Sequence, residues 1–544
     1  MPEPSVETIS ANIVDVLHGT IRPGTLAVAG GRIAMVREEP GPYSHFLLPG
    51  FIDSHVHIES SMLVPAEFAR AATIHGTVAA VADPHEIANV LGLDGMHYMT
   101  RNARNVPFHF CFGASPCVPA TEFETSGARL GAMEVEELLA SGEAAFLSEV
   151  MNVPGVLHGD PELLGKLAAA TRHGCVIDGH APGLRGPELQ RYIAAGITAD
   201  HESLSPEEAL EKVAGGMQIQ IREGSAARSL DAFLPVARQY PRECMFCSDD
   251  KHPDDLIHGH INDMVRRAVA GGMEVMDVLR VASVNPIRRY RLPVGLLQAG
   301  DSADFILVDN LRSFNVLATW VRGRRVAERG QSLLAPETAQ VLNRFVAAPQ
   351  ASSSFAVPAR DRLVNVIEAL DGQLVTNRLR LTPKTADGNA VPDPERDILK
   401  LAVVNRYAAA KPAVGFIRGF GLREGAIASS IAHDSHNIIA VGTSDADLCR
   451  AVNRIVHSRG GICAVGTNAE ELLPLPVAGL MSDAAFPVVA RRYVELDQAA
   501  KRLGCRLHAP FMTLSFMALL VIPELKLSDR GLFDGRQFAF TDLF

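Results

Sequence analysis

The chain has no basic block, no long apolar run and no paired set of cysteines, and each absence closes off a class of function. Lys and Arg number 51 against 62 Asp and Glu in 544 residues, a formal net charge of −11. Binding nucleic acid by displacing counterions from phosphates needs the opposite balance, so a nucleic-acid partner is excluded. Met1 to Ser10 carries no Lys or Arg and no apolar stretch, so no signal peptide is expected. The most apolar late segment, Phe511 to Ile522, is interrupted by Thr513 and Ser515. It also falls short of the roughly 20 residues of a spanning helix, so no membrane partner is expected. The 8 cysteines are scattered, as in a protein of a reducing compartment, and a cytoplasmic location is expected. Cys244-Met-Phe-Cys247 lacks a second pair to complete a zinc ribbon and reads as a buried strand. With 47% hydrophobic and 21% charged residues, the chain can build sizeable cores, and disorder is ruled out.

What is present is a rhythm. Up to about residue 50, short β-like runs alternate with glycine turns, as in Thr25-Leu-Ala-Val-Ala, Gly30-Gly31 and Arg32-Ile-Ala-Met-Val. From 51 to 285, apolar strand-like runs alternate with helical stretches such as Ala88 to Arg104 and Pro161 to His173, which predicts one (β/α)8 barrel. Residues 286–345 return to β character and are expected to join residues 1–50 in a composite β domain. A small, polar stretch near 346–360 reads as a linker, and 346–544 as an additional C-terminal α/β domain.

The chemistry concentrates where predicted barrel strands end. In Leu48-Pro-Gly-Phe-Ile-Asp53-Ser-His55-Val-His57, an extended backbone turns residues i and i+2 to one side, so His55 and His57 can face one metal. Val176-Ile-Asp178-Gly-His180 and Gly196-Ile-Thr-Ala-Asp200-His201 each end a strand in histidine, and Met245-Phe-Cys-Ser-Asp249-Asp250 ends a late strand in two carboxylates. C-terminal strand ends are where a barrel gathers its catalytic groups.

This order of His-x-His, His, His and Asp resembles the amidohydrolase superfamily, over the barrel and its flanking β segments. That resemblance implies a binuclear metal site with a hydroxide between the ions, and usually a carboxylated lysine at the fourth strand end. Here the chain departs, because its first lysine is Lys166, inside a helical run. Phe146-Leu-Ser148-Glu149 stands at the expected place, and Glu149 offers the two oxygens and negative charge a bridge needs; the alternative is a strand-end Glu bonded to its neighbours. The ligand set becomes His55, His57, Glu149, His180, His201 and Asp249. Mixed N and O donors suit two divalent transition-metal ions, Mn or Fe favoured and Zn possible.

Further strings are similar to the bacterial adenine deaminase family: Ala82-Asp-Pro-His85-Glu86-Ile-Ala-Asn-Val, Ile177-Asp-Gly-His180-Ala-Pro-Gly-Leu, Ser248-Asp-Asp-Lys-His-Pro-Asp-Asp and Ser429-Ser-Ile-Ala-His433-Asp434-Ser-His436-Asn437. The resemblance implies hydrolysis of adenine to hypoxanthine and ammonia; a homo-oligomer is expected because large apolar cytoplasmic enzymes are often symmetric assemblies. Asp249 would serve as general base and proton shuttle, and Glu86 as the acid facing the ring nitrogen. Asp250 or His85 would hold the purine edge; alternatively, His85 and Glu86 only brace the metal histidines. Two rival readings stand beside it: a related amidohydrolase acting on a cyclic amide or N-acyl amino acid, and a catalytically silent barrel used for binding or assembly. The other large nucleobase-deaminase class pairs H-x-E with P-C-x-x-C; His57-Ile-Glu59 meets the first half, but no second half exists in the chain.

Three groups have ordinary readings. Gly419-Phe-Gly421-Leu-Arg-Glu-Gly425 has the wrong spacing for a dinucleotide loop and reads as a β turn. His252, His258 and His260 read as a solvated loop and helix start. His433-Asp-Ser-His436 reads as a polar turn, with a cap over the barrel mouth or a further metal site as the alternatives.

Overall fold

The computed structural model describes residues 7–360, 362–467 and 469–544. Its centre is a sheet of eight parallel strands: β1 (Phe51–Val56), β2 (Thr77–Ala82), β3 (His109–Ala114), β4 (Phe146–Val150), β5 (Ile177–Gly179), β6 (Ile197–Asp200), β7 (Gln218–Arg222) and β8 (Cys244–Cys247). These strands read as near-continuous apolar runs because both faces are covered. Every residue of Thr77-Val-Ala-Ala-Val-Ala82 is buried. A parallel bridge between Val56 and Asp249 closes the sheet into a barrel. Asp249 N–H donates to the His55 carbonyl at 2.9 Å and His57 N–H to the Asp249 carbonyl at 3.3 Å. Barrel closure therefore runs through three of the candidate ligands.

Helices follow the strands, and their starts carry ordinary caps. Asp160 accepts from Leu163 N–H at 2.8 Å at the head of Pro161–Arg172, and Ser205 caps Pro206–Ala214. The single helix expected from Ala88 to Arg104 is instead two, His85–Leu91 and Leu93–Ala103. Gly92 separates them with φ 60° and ψ −136°, a conformation that side-chained residues avoid. Lys166 lies on Pro161–Arg172, away from β4, and its ammonium donates to the carbonyls of Pro116 and Leu130, both at 2.7 Å. Cys244 and Cys247 are buried in β8.

A second eight-stranded sheet draws on both flanks of the barrel. Its seam is Phe46–Pro49, parallel to Glu7–Asp15 on one side and antiparallel to Phe305–Val308 on the other. The C-terminal region builds a third eight-stranded sheet, in the order Thr376–Leu381, Val364–Ala369, Ala413–Arg418, Leu399–Val404, Ile438–Gly442, Ala426–Ser429, Gly461–Val465 and Glu470–Pro474. Helix Asp445–Ser458 packs on it through Leu448, Ala451, Val452 and Ile455. The stretch near 346–360 is not a free linker. Val346 and Ala347 N–H groups donate to the Arg406 carbonyl at 2.8 and 3.1 Å, and Phe355 is fully buried; one aromatic anchor outweighs the polar composition around it.

Contacts between sheet systems place the C-terminal region over the barrel mouth. Phe486 N–H donates to Glu67 at 2.9 Å, Ser482 N–H to the Met62 carbonyl at 2.8 Å, and Asn437 to the Thr125 carbonyl at 2.9 Å. The apolar segment Phe511–Ile522 becomes a short helix, Pro510–Phe516, and a buried turn. Among the described residues, no helix is long and apolar enough to cross a membrane.

Candidate metal centre and active site

The strand-end histidines and carboxylates do converge. His55 Nε2 lies 3.2 Å from His57 Nε2, and Asp249 Oδ1 is 3.7 and 3.1 Å from those two nitrogens. Asp249 reaches them from a left-handed backbone (φ 52°), which aspartate tolerates better than most residues. Glu149 divides its oxygens: Oε1 faces His57 Nε2 at 3.3 Å, while Oε2 faces His180 Nδ1 at 2.8 Å and His201 Nε2 at 3.0 Å. His180 is aimed by its neighbours. Its N–H donates to Tyr192 Oη at 3.2 Å, and that hydroxyl donates to the Val150 carbonyl at 2.6 Å. A Cβ on Gly179 would stand 2.7 Å from the Ala199 carbonyl oxygen, so the residue before His180 must be glycine.

These residues fit divalent metal ions. Donors held about 2.1 Å from a tetrahedral ion are roughly 3.4 Å apart, close to the separations seen here. All the donor residues are buried. The carboxylates are ionised: burial would raise Glu149, but His201 and His180 hold it well below the usual range, and Arg222 and His57 do the same for Asp249. This negative charge pulls His201 up to about 9 against its burial, chiefly through Glu149. The cluster thus demands positive charge, which bound cations supply without protons.

The remaining candidates lie one layer further out. His85 Nδ1 is 3.2 Å from Asp83 and 3.3 Å from Glu149. Asp250 accepts from Ser60 Oγ at 2.5 Å, and burial beside Asp249 raises its pKa. Glu86, expected to be an acid, is instead set among imidazoles. His433 Nδ1 lies 2.7 Å from Oε1, His436 Nε2 is in close contact with Oε2, and His85 Nε2 is 3.4 Å from Oε1. Burial would raise Glu86, but His433, His436 and His85 hold it well below the carboxylate range. His433 and His436 are therefore part of the site, not an ordinary turn.

Sequence reasoning missed several groups. Arg222, at the end of β7, spans Asp249 at 2.5 Å and Glu202 at 2.9 Å; the strand-end rule applied to β7 finds it. Asp83, beside His85, accepts from Ser115 Oγ at 2.7 Å. Phe516 stacks on the His433 ring with centroids 4.8 Å apart and planes 27° apart, and nothing local in the sequence announces it. The histidines taken for a solvated group divide: His258 is exposed, but His252 and His260 are buried, contacting Tyr493 and Asp53. Each finds a partner distant in sequence, which a local reading cannot supply.

A small cavity of about 30 Å³ lies between the barrel mouth and the C-terminal roof, where Glu149, Asp249, Asp250, His433 and Phe516 meet. Larger hollows lie around Phe108–Phe112 and on the β domain near Arg22, but no comparable set of histidines and carboxylates converges on them.

The Amidohydrolase family matches residues 46–326, and the adenine deaminase C-terminal domain family matches residues 373–539. An adenine deaminase of Salinibacter ruber is 54% identical over 543 residues, covering 99% of each chain. One from Methanosarcina barkeri is 49% identical over 550 residues, covering 99% of this chain and 100% of its own. Among solved structures, a beta-aspartyl dipeptidase of Fervidobacterium islandicum aligns at 17% identity with a TM-score of 0.48, over 61% of this chain and 100% of that one.

Proposed function

The chain belongs to the adenine deaminase family of the amidohydrolases, and we propose that it hydrolyses adenine to hypoxanthine and ammonia at the barrel mouth. One observation carries this: relatives named adenine deaminase match both the barrel and the C-terminal region from end to end. The convergence of six donor residues at the barrel mouth, five of them lining one cavity, supports it and speaks against a silent barrel.

The proposed cofactors are two divalent transition-metal ions, Mn or Fe ahead of Zn. His55, His57 and Asp249 would hold one, His180 and His201 the other, with Glu149 between. When bound, such ions bring the pKa of water from 15.7 to about 7. Arg222 keeps Asp249 ionised, so its carboxylate can take a proton from the attacking water and deliver it to the amine leaving C6. Asp250, fixed by Ser60, or His85, fixed by Asp83, would hold the purine edge. The Glu86–His433 pair serves the ring nitrogen, which must gain a proton as aromaticity is lost. A cytoplasmic homo-oligomer is the proposed setting, consistent with the scattered free thiols and with the prevalence of symmetric assemblies.

Ammonia release, assayed after Mn, Fe or Zn loading across adenine, other purines, dihydropyrimidines and N-acyl amino acids, tests the reading. Turnover of adenine is expected. Inert adenine beside turnover of another substrate overturns it.

A further inference from the structure

Resting on the deaminase reading, we propose that the proton given to the purine ring comes from His433, an imidazolium that the C-terminal region hangs over the barrel mouth, with Glu86 as the carboxylate that positions it. Glu86 meets an imidazole at each oxygen, His433 Nδ1 at 2.7 Å on one and His436 Nε2 on the other. A carboxylate so placed is ion-paired with an imidazole at each oxygen. The proton of that pair resides on His433.

The surroundings agree. Six titratable groups bear on His433: Glu86, Asp434 at 3.7 Å, Asp250 across the cavity, the imidazoles of His436 and His85 behind Glu86, and the buried His252. Burial opposes its charge, but Glu86, then Asp250 and Asp434, raise it to about 9. With Nδ1 taken by Glu86, Nε2 makes no hydrogen bond or ion pair with the described residues. The ring lines the same cavity as Asp249 and Asp250, and Phe516 stacked on its face fixes its plane.

The proton count closes. Water oxygen bonds to C6 as one water proton passes to Asp249 and the His433 Nε2 proton passes to N1. The C6–N bond then breaks as the amine takes the Asp249 proton and leaves as ammonia. The hydroxyl proton left on C6 returns to His433 through solvent, giving the C6 carbonyl of hypoxanthine. His433 is then the catalytic acid, and Glu86 and His436 are positioning residues. This assigns the C-terminal region a chemical task, because the barrel by itself supplies Glu86 without the group that Glu86 holds.

The test compares metal-loaded wild type with His433→Gln, which keeps an N–H donor but no titratable proton, and with His433→Ala. Wild-type kcat is expected to fall as pH rises through the imidazolium range near 9. His433→Gln is expected to lose about 10²–10⁴-fold in kcat, with unchanged metal content, KM within a few-fold, and no such alkaline limb. Added imidazole should partly restore His433→Ala in proportion to its protonated fraction, and Glu86→Gln should move the limb to lower pH. A His433→Gln kcat within tenfold of wild type, or an intact alkaline limb, overturns the proposal. So does loss of metal or fold in both His433 variants without imidazole rescue, which makes the residue structural. Wild type that releases no ammonia from adenine sinks the deaminase reading itself, a separate outcome.

Discussion

Arg222 Nη1 lies 2.5 Å from Asp249 Oδ2, so an arginine at the end of β7 holds the carboxylate at the end of β8 in its ionised form. The same guanidinium grips Glu202, next to the candidate ligand His201, and so braces two strand ends at once. Arg222→Met is expected to weaken metal binding and kcat/KM by about 10–100-fold, as outer-layer changes at metal sites do. Arg222→Lys should recover only part, because an ammonium lacks the planar fork. Chelator competition and steady-state kinetics on the two variants check this.

Glu149 faces both histidine groups, His57 through Oε1 and His180 and His201 through Oε2. Glu149→Gln is expected to lower bound metal below two ions per chain and kcat/KM by more than about 10²-fold, read by elemental analysis and ammonia release. Near-normal turnover would show that Glu149 is not a ligand. Chelation of wild type should abolish activity and lower thermal stability. Restored metal at one hundred times its Kd adds about 2.7 kcal/mol.

Lys526 is fully buried, donates to the Leu374 and Phe516 carbonyls at 2.7 and 2.9 Å, and has its pKa lowered by burial to about 7. Its unfolded value is about 10.4. Between those values the unfolded chain binds more protons, so stability rises with pH by up to roughly 1.4 kcal/mol per unit. Denaturant melts from pH 7 to 10 should show this rise, and Lys526→Met should remove it. A slope unchanged in the variant would refute the assignment.

His260 joins the loop after β8 to the barrel interior, 2.9 Å from Asp53 and 2.7 Å from Thr77. His260→Ala leaves a buried carboxylate and hydroxyl short of a partner, for an expected loss of about 1–3 kcal/mol. Thermal unfolding with metal held constant measures it. The same variant should keep its kcat wherever it remains folded.

The barrel and the ligand set were legible because both follow from local rules. Apolar runs of strand length mark β1 to β8, and the residue ending such a run points into the mouth; this singled out His55, His57, His180, His201 and Asp249, and the resemblance to the amidohydrolases made them a ligand set. Glu149 followed from the same resemblance, because it stands where that family usually carries a carboxylated lysine. Arg222 and Asp83 obeyed the same strand-end rule but carry no ligand signature, so they passed unnoticed. His252, His260, His433 and His436 were misread or left open because each is explained by a partner far away in sequence.

By itself, then, the sequence determined the alternating strand–helix architecture and the order in which the candidate metal ligands fall at its strand ends. Period and residue chemistry are short-range properties written directly in the chain. Only the tertiary structure decided the imidazole surroundings of Glu86 and the membership of His433 and Phe516 in the site. A proton's location depends on the charges packed around it, and here those charges come from segments some 350 residues apart in the chain, brought to within hydrogen-bonding distance only by folding.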